Sequence, residues 1–174
     1  MVTDTGVFSR HEVDLGTQLL VESVTPPSDG LVLDLGCGYG PIGLAYAAMQ
    51  PNCHVHMTDV NERAVALAKE NAARNNINNV TVHQGEGLAA VTGILFSLIV
   101  TNPPIRAGRT VLMQLFATAL AQLEPQGRLA FVVRTQQGAK TLAREVGNLG
   151  SNVLEVAKKS GYRVYVATKS RGSE

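Results

Sequence analysis

Residues 97–109 read Ser-Leu-Ile-Val-Thr-Asn-Pro-Pro-Ile-Arg-Ala-Gly-Arg. The apolar run from Leu95 to Val100 reads as a buried parallel strand, and it delivers Asn102-Pro103-Pro104-Ile105 at its end. Two consecutive prolines offer carbonyls and no N–H groups. Beside them stands one amide side chain whose oxygen also accepts. Ligands of open α/β sheets sit beyond the carboxyl ends of the strands. A rigid corner rich in acceptors at that place suits the grip of an –NH2 group.

A second constellation lies upstream. Leu33-Asp34-Leu35-Gly36-Cys37-Gly38-Tyr39-Gly40 follows an apolar strand and leads into a helix. Glycines there let the backbone adopt positive φ and approach a ligand closely. Gly38 to Gly43 also satisfies G-x-G-x-x-G, and Asp59 lies about twenty residues on, where an acid binds ribose hydroxyls. A dinucleotide such as NAD is therefore one reading. Against it, Gly36 comes two residues before that fingerprint begins, and Asp34 aims a carboxylate at the loop. A pyrophosphate would be repelled by it and an ammonium group held.

Other reactive side chains carry less. His54 and His56 share one side of a strand, but no third ligand lies near them in sequence, so they read as structural. Cys37 has no base patterned around it and reads as a small loop residue, not a nucleophile. Lys158-Lys159 reads as a solvated strand edge. Nothing in its spacing places His11 at a site.

The elements that must position these groups follow from periodicity and breakers. Helices are expected over Val13 to Val24, Pro41 to Gln50, Glu62 to Asn75, Thr110 to Leu123 and Ala139 to Leu149. Pro41 suits the first position of its helix. Strands are expected over Leu31 to Leu35, Val55 to Thr58, Val80 to His83, Phe96 to Thr101 and Leu129 to Val133. Pro125-Gln126-Gly127 turns the chain before the last of these. Val153 to Lys158 and Tyr162 to Thr168 flank Ser160-Gly161 with no helix between them, which reads as a hairpin. Alternating strands and helices with such an ending give a mostly parallel, doubly wound α/β sheet with an antiparallel edge.

The chain has 174 residues, 45% of them apolar and 17% charged, a mix that suits one globular domain. Residues 1–174 read as that single domain, with 1–25 an N-terminal segment and helix packing near the site. The longest apolar stretch is too short for a bilayer. Met1 to Arg10 has no apolar core of a secretory signal. The two cysteines form neither a CxxC pair nor a disulfide framework, so a reducing, cytoplasmic setting is expected. A net charge of +1 conceals an imbalance: residues 1–101 hold four Lys/Arg against ten Asp/Glu, and residues 102–174 hold eleven against four. The acidic part suits a cofactor with hydroxyls and a positive centre, and the basic part suits a polyanion.

D-L-G-C-G-Y-G, T-D-V and T-N-P-P-I, in that order, resemble a class I S-adenosylmethionine-dependent methyltransferase of the amino-methylating type. The seven-stranded, Rossmann-like sheet of that class matches the expected elements over nearly the whole chain. Gly6 to Leu20 and Thr101 to Gly108 further resemble single-domain relatives of the small-subunit ribosomal RNA guanine-N2 methyltransferase C family. The resemblance implies S-adenosylmethionine as cofactor. It implies that Gly36, Gly38 and Gly40 cradle the methionine part, with Cys37 in the same loop, and that Asp34 holds the amino end. Asp59 would take the ribose hydroxyls, Val60 the adenine, and Glu86-Gly87 the region of the adenine amino group. Asn102, Pro103, Pro104 and Ile105 would form the catalytic corner, with Asn102 also against the cofactor.

Under that resemblance Asn102 Oδ1 and the Pro103 carbonyl each accept one N–H of the target amine. Ile105 replaces the commoner aromatic, so Phe8 or Tyr39 is expected to supply part of a stacking platform. Arg106 and Arg109 are the expected phosphate contacts. The implied partner is ribosomal RNA or an assembled small ribosomal subunit, met by a monomer or homodimer with no membrane. The motif alone does not separate a base from a protein glutamine amide. A binding module without catalysis is the reading from a different class.

Overall fold

The computed structural model describes residues 14–170; Phe8 and His11 lie outside them. Each helix begins where the sequence supplies a reason. In α1 (Leu15–Ser23), the Asp14 carboxylate caps the first turn, accepting from the Gly16 and Thr17 amides. Pro41 opens α2 (Pro41–Met49) at a position where its missing N–H leaves nothing unsatisfied. Asn61 caps α3 (Glu62–Arg74), with Glu62 and Arg74 at the ends that suit their charges. Helices α4 (Arg109–Ala121) and α5 (Ala139–Gly147) each begin at a glycine with positive φ.

Seven strands form one sheet: β1 (Gly30–Leu35), β2 (Cys53–Asp59), β3 (Val80–Gln84), β4 (Phe96–Thr101), β5 (Leu123–Arg134), β6 (Ser151–Lys159) and β7 (Tyr162–Lys169). Their order is β3-β2-β1-β4-β5-β7-β6. The first five run parallel, and β7 enters antiparallel between β5 and β6. The hairpin turns through Ser160 and Gly161, both at positive φ, as a two-residue loop matched to strand twist requires.

Alternate residues of the central strands feed two apolar layers. Val32, Leu98, Val100 and Val132 join Leu20, Leu44 and Ala68 of α1, α2 and α3. Leu33, Ile99, Phe131 and Val133 join Leu112, Phe116 and Leu142 of α4 and α5. On that second face the β2–β3 half carries polar rings: His56 Nδ1 lies 2.9 Å from His83 Nε2, and His54 Nε2 lies 2.7 Å from Thr81 Oγ1. Burial, with His54 and His83 alongside, drives the His56 imidazole down to a pKa of about 4. Among the described residues no cluster of three or more His, Cys, Asp or Glu could hold a metal ion.

Strand β5 differs from expectation. It begins at Leu123, and the Pro125-Gln126-Gly127 turn lies within its span. Phe96 pairs with Leu123 and Leu98 with Arg128, so four residues of β5 bulge past Ser97. Gln126 takes a positive φ. A side chain on Gly127 would stand 2.8 Å from the Glu124 carbonyl oxygen. The ladder resumes beyond the bulge, so the turn interrupts the strand without ending it.

Candidate active site

The strand order reverses between β1 and β4, and a cavity of about 770 Å³ opens across the carboxyl ends there. One part of its lining is Gly36, Cys37, Gly38, Tyr39 and Pro41 of the glycine loop with Asp59, Asn61 and Ala64. Another includes Pro104, Ile105, Arg106, Arg134 and Tyr162. Asn102 and Pro103 line the same space, and Asp14 and Thr17 reach it from the N-terminal side of the fold.

The glycine loop is held from beneath and left open above. The Cys37 amide donates to the Thr58 carbonyl at 2.8 Å, tying the loop to β2. The Gly38 amide donates to Asp59 Oδ2 and the Asn61 amide to Asp59 Oδ1, both at 2.9 Å. Asn71 Nδ2 donates to the Tyr39 carbonyl from α3. Gly36 and Gly38 stand at positive φ, and no atom lies within 4 Å of where a Cβ would be on either. Side chains would fill that open space, so the loop fits the methionine end of an S-adenosylmethionine and a β2-end acid fits its ribose.

Asp34 lies under the loop and does not line the cavity. It is fully buried. Oδ2 accepts the Gly43 amide at 2.8 Å, while Oδ1 has no hydrogen-bond partner. Burial raises its pKa to about 7; the Gly43 bond opposes the rise and the nearby Asp59 charge adds to it. Cys37 is buried, and burial with the two aspartates pushes its thiol far up, so it stays protonated. That chemistry suits a loop spacer and not a nucleophile.

At the end of β4 the two prolines make a tight corner. Pro104 takes φ −78° and ψ 79°, and the Ile105 amide donates to the Pro103 carbonyl at 2.9 Å, an inverse γ-turn. The carbonyl expected to accept an amine N–H thus already accepts one from the backbone and keeps a single lone pair. Asn102 Nδ2 donates to Thr17 Oγ1 at 3.5 Å, and Thr17 Oγ1 donates to Asp14 Oδ2 at 2.9 Å. With its amide nitrogen engaged, Asn102 has Oδ1 to offer as an acceptor.

The structure does not bring every expected residue to the cavity. Gly40 sits at positive φ as the cap of α2, its added Cβ blocked by Leu44 and Met57. Val60, Glu86 and Gly87 are not among the cavity-lining residues; Val60 is 68% exposed. Arg109 is drawn away to α5, its Nε 3.3 Å from Glu145 Oε2. Tyr39, expected as part of a stacking platform, does line the cavity, but it is only 2% exposed and packs on Ala64 and Leu67. Its ring is spent on holding the loop. Among the residues missed from sequence were Asp14, Thr17, Asn61, Arg134 and Tyr162. Arg134 could have been found by one signal, since it ends a strand at the same edge as Asn102.

Such a sheet, with a glycine cradle, a β2-end acid and an Asn-Pro-Pro corner across its switch point, defines the S-adenosylmethionine-dependent methyltransferases. Residues 1–166 match the family model of the methyltransferase small domain, and the chain belongs to that family. It is 43% identical over 169 residues to the uncharacterized protein YbxB of Bacillus subtilis, covering 96% of this chain and 84% of that one. It is 32% identical to the ribosomal RNA small subunit methyltransferase C of Erwinia tasmaniensis, covering 97% of this chain and 49% of the relative. The chain thus spans about half the length of the small subunit methyltransferase C relatives it matches. The T. thermophilus 16S rRNA N2 G1207 methyltransferase, solved with AdoMet and guanosine, superposes with a TM-score of 0.83. It is 26% identical over 94% of this chain and 45% of its own. Among the described residues no helix is long and apolar enough to cross a membrane.

Proposed function

We propose that this chain methylates the exocyclic N2 of a guanine in small-subunit ribosomal RNA, using S-adenosylmethionine, in the cytoplasm. The observation that carries the reading is Asn102: its amide nitrogen is tied to Thr17, which presents its oxygen as an acceptor at the end of β4. The likeness to a 16S rRNA N2 methyltransferase solved with guanosine supports it.

Bound S-adenosylmethionine supplies an electrophilic methyl on a sulfonium. The guanine N2 lone pair is delocalised into the ring and is a weak nucleophile. Asn102 Oδ1 accepts one N2–H, turning the lone pair out of conjugation and stabilising the positive charge that grows on nitrogen. The Pro103 carbonyl contributes its remaining lone pair. The nitrogen lone pair forms the new N–C bond as the S–C bond breaks, and the extra proton leaves to water. No strong base is required, and the rest is in-line positioning. Asp59 holds the ribose hydroxyls and Gly36 and Gly38 admit the methionine part. Arg106, exposed at the cavity, contacts phosphate. A target paired in a helix must be flipped out to enter.

The test is transfer of labelled methyl from S-adenosylmethionine to small-subunit RNA, naked and assembled, from cells lacking this protein. Label in N2-methylguanosine is the expected result. An unlabelled RNA pool with cofactor binding intact overturns the reading, and label in a protein amide replaces it with glutamine N-methylation.

A further inference from the structure

The Asn-Pro-Pro corner carries an isoleucine where a stacking ring would serve, and Tyr39 is buried in the loop's own packing. A planar base entering the cavity needs a flat surface from elsewhere. Arg134 and Tyr162 are paired across β5 and β7 by register, at the carboxyl edge that holds Asn102. Both line the cavity. The Arg134 guanidinium carbon stands 5.2 Å from the centre of the Tyr162 ring, within the range of a cation–π contact.

The same ring is also packed by α1. A Cβ on Gly16 would stand 2.6 Å from Tyr162 Cε1, so the glycine lets α1 approach the ring closely. Arg134 itself is exposed, and among the described residues no carboxylate pairs with it. A guanidinium with no carboxylate partner among the described residues, seated on a packed ring, is a preorganised flat cation. Bases stack on guanidinium planes as they do on aromatic rings.

We propose that Arg134, seated on Tyr162 and braced by Gly16, is the shelf on which the target base stacks while Asn102 holds its amine. The proposal deepens the functional reading above and rests on it. It makes Arg134 a binding residue and Tyr162 and Gly16 positioning residues.

The test compares methyl transfer to small-subunit RNA by Arg134→Ala, Arg134→Lys, Tyr162→Leu and Tyr162→Phe in the full chain. Arg134→Ala and Arg134→Lys are each expected to raise KM for RNA about tenfold, because lysine keeps the charge and loses the plane. Affinity for S-adenosylhomocysteine and the salt dependence of KM should stay as in the wild type. Tyr162→Leu should raise KM similarly, and Tyr162→Phe should restore most of that loss by restoring the ring. If Arg134→Lys keeps the wild-type KM while Arg134→Ala flattens the salt dependence, Arg134 contacts phosphate and the shelf is overturned. Wild-type KM in Arg134→Ala overturns it outright. Should the wild type methylate no RNA, the functional reading fails separately. The shelf is then judged by calorimetric binding of guanosine with S-adenosylhomocysteine present. No binding, or binding unchanged by Arg134→Ala, overturns it.

Discussion

Asn102 has one donor group and one acceptor on a short stem, and the fold spends the donor on Thr17. Rotating the amide by half a turn would aim its NH2 group at an incoming amine and repel it. Asn102→Ala is therefore expected to lower kcat by about 100- to 1000-fold with cofactor affinity unchanged. Asp59→Ala is expected to act first on cofactor affinity, since Asp59 also pins the Gly38 amide. Equal loss of cofactor affinity in both variants, read by calorimetry, would remove Asn102 from the amine. Thr17→Val keeps the shape of the threonine and removes the hydroxyl between Asn102 and Asp14. It should lower kcat about tenfold, a bond's worth of orientation; Thr17→Ser should recover it, and single-turnover rates would report both.

At the scale of elements, α1 meets β7 through the absence of a side chain. Gly16→Ala gains up to about 1 kcal/mol of helix propensity, yet overpacking costs about 1–3 kcal/mol. The melting temperature is therefore expected to fall, and a rise would show that Tyr162 moves aside freely. Two titratable groups on opposite faces of the sheet, one buried and one half-buried, act on stability with opposite sign. Asp34 has a native pKa of about 7, above its ordinary value of 3.8. Its contribution to stability is present in acid and is lost as pH rises from about 4 to 7. His56, at about 4 against an ordinary 6.5, contributes above 6.5 and loses that as pH falls. Between pH 5 and 6.5 the two offset each other. Relative to wild type, Asp34→Asn should gain melting temperature as pH rises through that window, and His56→Gln should lose it. Parallel curves for all three proteins would contradict both assignments.

Across the whole molecule, most of the fold was legible because apolar alternation and helix breakers act locally. Pro41 and Ser160-Gly161 each mark a boundary that the backbone obeys. The bulge at Pro125-Gln126-Gly127 was read as a turn before a strand. Whether a ladder resumes beyond a turn depends on the partner strand, in this case Phe96 and Leu98. Within the site, the strand-end residues were visible because a sheet edge gathers them in one place. Thr17 and Tyr162 were not, since the first lies 85 positions from Asn102 and no short-range pattern records the pairing. The charge imbalance of the sequence reappears in the cavity, where Asp14 and Asp59 come from the acidic part of the chain and Arg106 and Arg134 from the basic part.

The insertion of β7 between β5 and β6 has a consequence for the order in which the protein becomes able to act. As the chain is synthesised, the glycine loop, Asp59 and Asn102 emerge well before Tyr162. Until β7 emerges, β5 keeps a bare edge, and Arg134 has no ring to lie on. Pairing across such sequence distances is slow to form. A growing chain therefore builds a place for its cofactor before it builds a place for its target, and it gains the second only when β7 has joined the sheet.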